Sequence, residues 1–178
     1  MANSQAQQTV ALDRSVRAGR DAYLAENGFT VEAYEAKWTP GSLFGFRFKV
    51  PNTPNHRRAI MWHDLHHVAT GFGTDLAGEA EISTWELRRG LTGLDLYVSA
   101  IVVGLALSGL VVAPVRTWRA WNAAGKPGAN LFAHTLSEYD AILALDVAEL
   151  RRRLGVPPEG LASERGLHST AHVDSLQR

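Results

Sequence analysis

The chain has 178 residues, of which 18 are basic and 18 are acidic, and it contains no cysteine. This length fits one domain with a substantial core, and the balanced charge lacks the basic stripe that nucleic-acid binding requires. Because cysteine is absent, disulfides and thiolate metal sites are excluded, and any metal must be held by nitrogen and oxygen ligands.

The N-terminal part of the chain carries signals for two helices and one strand. Periodic apolar residues predict a helix over 8–27. Thr30 is positioned to cap a short helix that would extend to Trp38. The Thr-Pro-Gly sequence at 39–41 predicts a turn, and weak alternation over 43–50 indicates a strand before a loop.

Two helices are predicted on either side of a glycine-rich break at 71–73. The first follows the loop at 51–55 and ends at about Thr70. Thr74 is placed to cap the second, which would end at Arg89 because Gly90 follows it.

These two helices carry the most informative pattern of the chain, which is His63-Asp64-x-x-His67, eleven residues, then Glu79. On a helix, His63 and His67 lie one turn apart on one face, and Asp64 lies about 100° around from His63. Glu79 would arrive from the second helix and close the site. Two imidazoles and two carboxylates suit a divalent metal, either zinc or iron.

Three other chemistries use similar residues and fit less well. A zinc peptidase needs Glu where this chain has Asp64. Membrane desaturases share the His63-x-x-His66-His67 box but require several boxes and several membrane spans. A metal phosphohydrolase would use His63-Asp64 as its doublet with His56 and Asp95, and a single His-Asp pair is weak support for it.

Neighbouring polar residues can be assigned provisional roles. Glu86 is seven residues after Glu79 on the same face, so it is either an orienting partner of a ligand histidine or an exposed glutamate. His66 faces another direction and is expected to be structural or exposed, not a ligand. Trp62 and Trp85 are expected to pack beside the site.

The C-terminal half begins with an uncharged run at 96–113 that Pro114 terminates. Its length is at the lower limit for a membrane span, so we expect a buried helix. Ala100, Gly104 and Ser108 would form a small-residue face for close helix contact. Arginines and tryptophans over 115–124, including Trp118, resemble an interfacial belt.

The chain closes with one predicted helix and a tail. Ser137 is placed to cap that helix, and three arginines at 151–153 lie at its C-terminal end, where the helix dipole favours cations. We expect a single helical domain over 1–158 and a flexible tail over 159–178. The spacing of His168 and His172 in that tail is attributed to chance. The fold class expected is all-α, with a metal site on a helix pair.

The motif resembles the signature of the coenzyme Q biosynthesis protein 4 family, H-D-x-x-H-x11-E. The resemblance is clear over 56–90 and weaker over 23–45 and 147–157, and it does not extend to 91–135. It implies a metal-dependent protein that acts on a prenylated aromatic acid, by removing the ring carboxylate and installing oxygen. The alternative is a carrier of prenyl lipid or a scaffold of a biosynthetic complex that performs no chemistry.

Cellular location follows from two expectations. Residues 1–10 are polar and lack the regions of a signal peptide, which favours the cytoplasm. The resemblance implies peripheral association with the inner membrane, a prenyl-lipid ligand, and assembly as a homo-oligomer or within a biosynthetic complex.

Overall fold

The computed structural model describes residues 14–43 and 46–162, and this part of the chain is mostly helical with one small hairpin. The expected mainly helical, compact fold is confirmed, and a two-stranded antiparallel sheet is added to it. The elements in chain order are α1 (Val16–Glu26), a 3₁₀ turn (Val31–Glu35), β1 (Trp38–Leu43), β2 (Phe46–Pro51), α2 (Pro54–Thr70), α3 (Leu76–Arg89), α4 (Leu96–Val112), α5 (Pro114–Ala124), a 3₁₀ turn (Leu136–Glu138), α6 (Tyr139–Leu143) and α7 (Val147–Leu154).

The core forms where α2 meets its neighbours. Helix α2 packs against α1 and α7, while α3 packs against α4 and α5. Trp62, Leu65 and Trp85 are fully buried at the centre, so both tryptophans pack beside the metal motif as expected. Burial of such large side chains is a main source of stability.

The boundaries of α2 and α3 follow local sequence signals. Thr53 caps α2 by accepting a hydrogen bond from the His56 amide, and Gly71 ends the helix in a left-handed conformation with φ of 77°. The cap of α3 is Asp75 and not Thr74, because the Thr74 hydroxyl donates instead to the side chain of Asn27.

Two N-terminal expectations were wrong. The helix from Thr30 to Trp38 is only a short 3₁₀ turn, and the turn at 39–41 is part of β1. Pro40 pairs with Lys49 in the hairpin, which is tolerated because every strand of a two-stranded sheet is an edge strand. Residues 8–13 of the first predicted helix lie outside the described residues.

Helix α4 is less buried than expected. One face, with Val98, Val102 and Gly109, packs inward, whereas Leu110 and Val111 are 59% and 76% exposed. Among the residues that the structure describes, no helix combines the length and apolar character needed to cross a membrane.

The small-residue face of α4 is also shifted from its expected position. A Cβ at Gly104 would meet nothing within 4 Å, whereas one at Gly109 would lie 2.8 Å from the Ala80 Cβ and 2.4 Å from the Thr117 Oγ1. Close contact between helices therefore occurs at Gly109. Pro114 ends α4 and also begins α5 directly, because proline at the first helical position needs no hydrogen-bond partner.

The last predicted helix is divided into α6 and α7. The Val16 amide donates to the Leu145 carbonyl and the Val147 amide donates to the Arg14 carbonyl, and these bonds draw the backbone out of helical conformation. Asp146 then caps α7. The cap that was predicted at Ser137 is formed instead by Thr135 and Glu138, which make a capping box.

The first residues of the predicted tail are hydrogen-bonded to the end of α2. Amides of Leu161 and Ala162 both donate to the Thr70 carbonyl at the end of α2. The remainder, including His168 and His172, lies outside the described residues.

Candidate metal centre

Three of the four predicted ligands meet between α2 and α3. One ligand atom from each of His63, His67 and Glu79 lies within 4.8 Å of the others. The two Nε2 atoms of the histidines are 3.0 Å apart, and the Glu79 carboxylate lies 3.3 Å from His63 Nε2 and 3.5 Å from His67 Nε2. The short turn at 71–75 reverses the chain and sets Glu79 opposite the two rings.

The outer nitrogens of both rings have acceptors. His63 Nδ1 lies 2.8 Å from Glu86 Oε1, and His67 Nδ1 lies 2.9 Å from the Phe72 carbonyl oxygen. A carbonyl accepts only, as does an ionised carboxylate, so each neutral ring carries its proton on Nδ1. With both rings neutral, the two Nε2 lone pairs face each other beside a carboxylate, an arrangement that either a proton on His63 or a bound cation satisfies.

The charges of the cluster reinforce one another. Burial lowers the pKa of His63, but Glu86 and Glu79 outweigh it and hold the pKa well above its ordinary value. Burial likewise opposes ionisation of Glu79, yet hydrogen bonds with His63 and His67 lower its pKa. The carboxylates around His63 therefore favour positive charge at this ring, as they would favour a metal ion beside it.

Glu86 is an orienting residue buried beneath the site. Its side chain is fully buried, which rules out the exposed alternative, and Oε1 also lies 2.7 Å from His66 Nδ1. His66 Nε2 accepts a hydrogen bond of 2.9 Å from the Leu131 amide, so its proton is on Nδ1 and both ring nitrogens are occupied. His66 is therefore structural, in agreement with the sequence-based expectation.

Asp64 lies beside the three convergent residues and is not within their group. The hydroxyl of Tyr34 donates a 2.5 Å hydrogen bond to Asp64 Oδ2. Burial raises the pKa of Asp64, although Tyr34 and the nearby imidazoles oppose the shift. The structure therefore places Asp64 next to the ligand cluster without bringing its carboxylate into it.

Two aromatic residues near the site were not identified from the sequence. Tyr23 of α1 stacks on the His67 ring with centroids 5.1 Å apart, and Tyr34 holds Asp64 from the 3₁₀ turn. Both lie about 30 to 45 residues before the motif, and no spacing rule connects them with it. The packing of α1 and of the 3₁₀ turn against α2 brings them there.

A large cavity opens onto the metal cluster. It has a volume of about 1390 Å³, and His63, Asp64 and Glu79 form part of its wall. Most of the remaining wall is apolar and includes residues from α1, the hairpin and α4, such as Leu24, Phe29, Val50, Ile101 and Leu105. This combination of a few convergent polar groups with an apolar wall is typical of a site for a lipophilic ligand.

The phosphohydrolase alternative gains no support from the geometry. Asp95 caps α4 by accepting a hydrogen bond from the Val98 amide, and its other oxygen accepts one from Asn55. It is absent from the cluster of His63, His67 and Glu79. The residues expected to complete an H…HD…D site are therefore not assembled.

Comparison with known proteins adds no name to this site. No protein-family model, curated protein or solved structure gives a significant match to the chain. The geometry of the cluster and of its cavity therefore carries the functional argument, and that geometry fits a divalent ion bound by nitrogen and oxygen ligands next to an apolar chamber.

Proposed function

We propose that the protein binds one zinc or iron ion through His63, Asp64, His67 and Glu79 and acts on a lipophilic aromatic acid, from which it removes the ring carboxylate and installs oxygen. The observation that carries the metal is the pair of Nε2 atoms 3.0 Å apart, with both Nδ1 atoms committed to acceptors. The reaction class comes from the resemblance to the coenzyme Q biosynthesis protein 4 family.

The protein residues have separable tasks in this proposal. A divalent ion bound here supplies a Lewis acid for the carboxylate of the ligand. Glu86 and the Phe72 carbonyl fix the ring orientations of His63 and His67. Tyr34 holds Oδ2 of Asp64, and in this proposal Oδ1 is the oxygen that binds the ion.

The apolar chamber supports a prenylated ligand. Ala100, Ile101 and Leu105 of α4 line the cavity whose wall also includes His63 and Glu79. A ligand with its carboxylate at the metal could therefore extend its tail along α4. Each buried CH₂ group of that tail would contribute about 0.8 kcal/mol, so the tail would supply most of the binding free energy.

We also propose that the protein associates with the surface of the inner membrane from the cytoplasm. The apolar patch comprises exposed residues of α4 and α5 (Leu107, Leu110, Val111, Val115 and Trp118). Exposed apolar residues grouped in this way mark interaction surfaces, and a membrane would keep a lipid substrate in an apolar environment as it approaches α4. A homo-oligomer or a biosynthetic complex would cover the same residues.

The test combines metal analysis with turnover. The purified protein, reconstituted with zinc or with iron, should hold about one ion per chain, and His67→Ala should hold none.

The reaction replaces the carboxylate by hydroxyl, so it consumes one dioxygen and two electrons. One oxygen atom enters the ring, the other becomes water, and carbon dioxide leaves.

The turnover assay therefore contains a prenylated hydroxybenzoate, air and a reductant. Release of carbon dioxide together with a new ring hydroxyl, lost in His67→Ala, supports the enzyme. Metal-dependent binding of the ligand without turnover supports the carrier or scaffold instead. Absence of metal after reconstitution contradicts both.

A further inference from the structure

Ser83 is a buried hydroxyl beside the metal cluster. It lies on α3 one turn after Glu79 and three residues before Glu86, and both of these glutamates contact His63. Its side chain is fully buried, and the residue lines the cavity. Among the described residues, its Oγ atom has no hydrogen-bond partner.

Three hydroxyls elsewhere in the helices make the bond that Ser83 lacks. Thr70 and Thr117 donate to the carbonyls four residues earlier, and Ser108 donates to the Leu105 carbonyl, at distances of 2.8, 2.9 and 2.7 Å. That bond to the preceding turn is the usual way in which a helical hydroxyl is satisfied. Ser83 does not make it, and a buried hydroxyl without a partner reduces stability.

We propose that Ser83 forms a hydrogen-bonding subsite for an oxygen substituent on the ring of the ligand. The inference rests on the proposed function, because it assumes that the ligand carboxylate is at the metal. Ser83 lies four residues after Glu79, a rise of about 6 Å along α3, which is comparable to the distance between the carboxylate and the para hydroxyl of a benzoate ring. Rotation of χ1 re-aims the Oγ atom without moving the backbone.

The ligand class follows from this chemistry. A serine hydroxyl can donate to or accept from a phenolic hydroxyl. An aromatic acid that lacks the ring oxygen would leave Ser83 unpartnered, as it is without ligand, whereas the hydroxylated acid would satisfy it. The site would therefore select a hydroxylated aromatic acid over its deoxy analogue.

A second arrangement competes with this proposal. Glu86 Oε2 is also buried without a partner in the described part of the chain, and it is three residues from Ser83. A rotated Ser83 hydroxyl could donate to that oxygen. In that case Ser83 would stabilise the fold and would not distinguish between ligands.

The experiment compares Ser83→Ala with Thr84→Val. Thr84 Oγ1 is likewise buried and unpartnered, on the same helix, but Thr84 does not line the cavity. Zinc-loaded wild type and both variants are titrated with 4-hydroxy-3-geranylbenzoate and with 3-geranylbenzoate, and thermal unfolding of each metal-loaded variant is measured without ligand.

The expected result is a preference of about tenfold for the hydroxylated ligand in wild type, the size of one buried hydrogen bond. Thr84→Val should keep this preference and Ser83→Ala should lose it, with neither variant less stable than wild type. An unchanged preference in Ser83→Ala overturns the subsite, and a loss of stability in that variant alone with unchanged preference assigns Ser83 to Glu86. If neither ligand binds to wild type, the proposed function fails and the subsite with it.

Discussion

Replacing Glu86 by glutamine tests whether the buried carboxylate prepares the metal site. In the protein, Oε1 accepts hydrogen bonds of 2.8 Å from His63 and 2.7 Å from His66. A glutamine oxygen still accepts, but it is neutral, so both bonds lose their charge assistance. Charge-assisted bonds contribute about 1.5–3 kcal/mol each and neutral ones about 0.5–1.5 kcal/mol.

Only the bond to His63 acts on the metal directly, so the expected loss is the difference for one bond, about 1–1.5 kcal/mol, or about 5- to 12-fold in metal affinity. Competition with a chromophoric chelator measures this affinity. Glu81→Gln is the matched control, because Glu81 is a buried glutamate of the same helix that pairs with Arg116 outside the site. Equal losses in the two variants, or no loss in Glu86→Gln, would refute the orienting role.

Three further predictions concern the same protein. His66→Ala should retain about one ion per chain while His67→Ala retains none, as measured by metal analysis; loss of metal in both would show that His66 is not merely structural. Gly109→Val should lower the free energy of unfolding by about 1–3 kcal/mol, because the added side chain overpacks the contact with α3 and α5. Gly104→Val should change it by less than about 0.5 kcal/mol, and equal effects in thermal unfolding would contradict the packing of α4. Trp118→Ser should weaken sedimentation with anionic vesicles without altering metal content, and unchanged sedimentation accompanied by a change from dimer to monomer would assign the apolar patch to a second copy.

The sequence predicts those parts of the site that come from helices adjacent in the chain. His63, His67 and Glu79 lie on two helices joined by a short turn. Glycine and capping signals predict the end of the first helix and the start of the second within one residue of where they are observed. The same periodicity puts Glu86 on the face of Glu79, but it does not decide between an orienting and an exposed glutamate. Such contacts arise between neighbouring elements, so the sequence pattern contains them.

The remaining features depend on contacts between distant segments. The break between α6 and α7 at 144–146 is caused by backbone hydrogen bonds with Arg14 and Val16. The helix propensity of the local sequence does not predict these bonds. The bond from Tyr34 to Asp64 likewise requires the turn after α1 to pack on α2. Helix α4 is apolar on every face, so its sequence does not indicate which face turns toward α3, and the small-residue contact was placed at Gly104 instead of Gly109.

The ligands and the groups that orient their rings occupy one continuous stretch between His63 and Glu86, with the Phe72 carbonyl in the reversal between the helices. Bringing the two helices together closes only a short loop, so the entropy cost of assembling the metal cluster is small. An ion bound there would tie α2 to α3, two helices that otherwise pack mainly against different neighbours. Metal would therefore hold these two helices together during excursions in which the β-hairpin or α7 detaches, and amide hydrogen exchange in both helices should slow when metal is added.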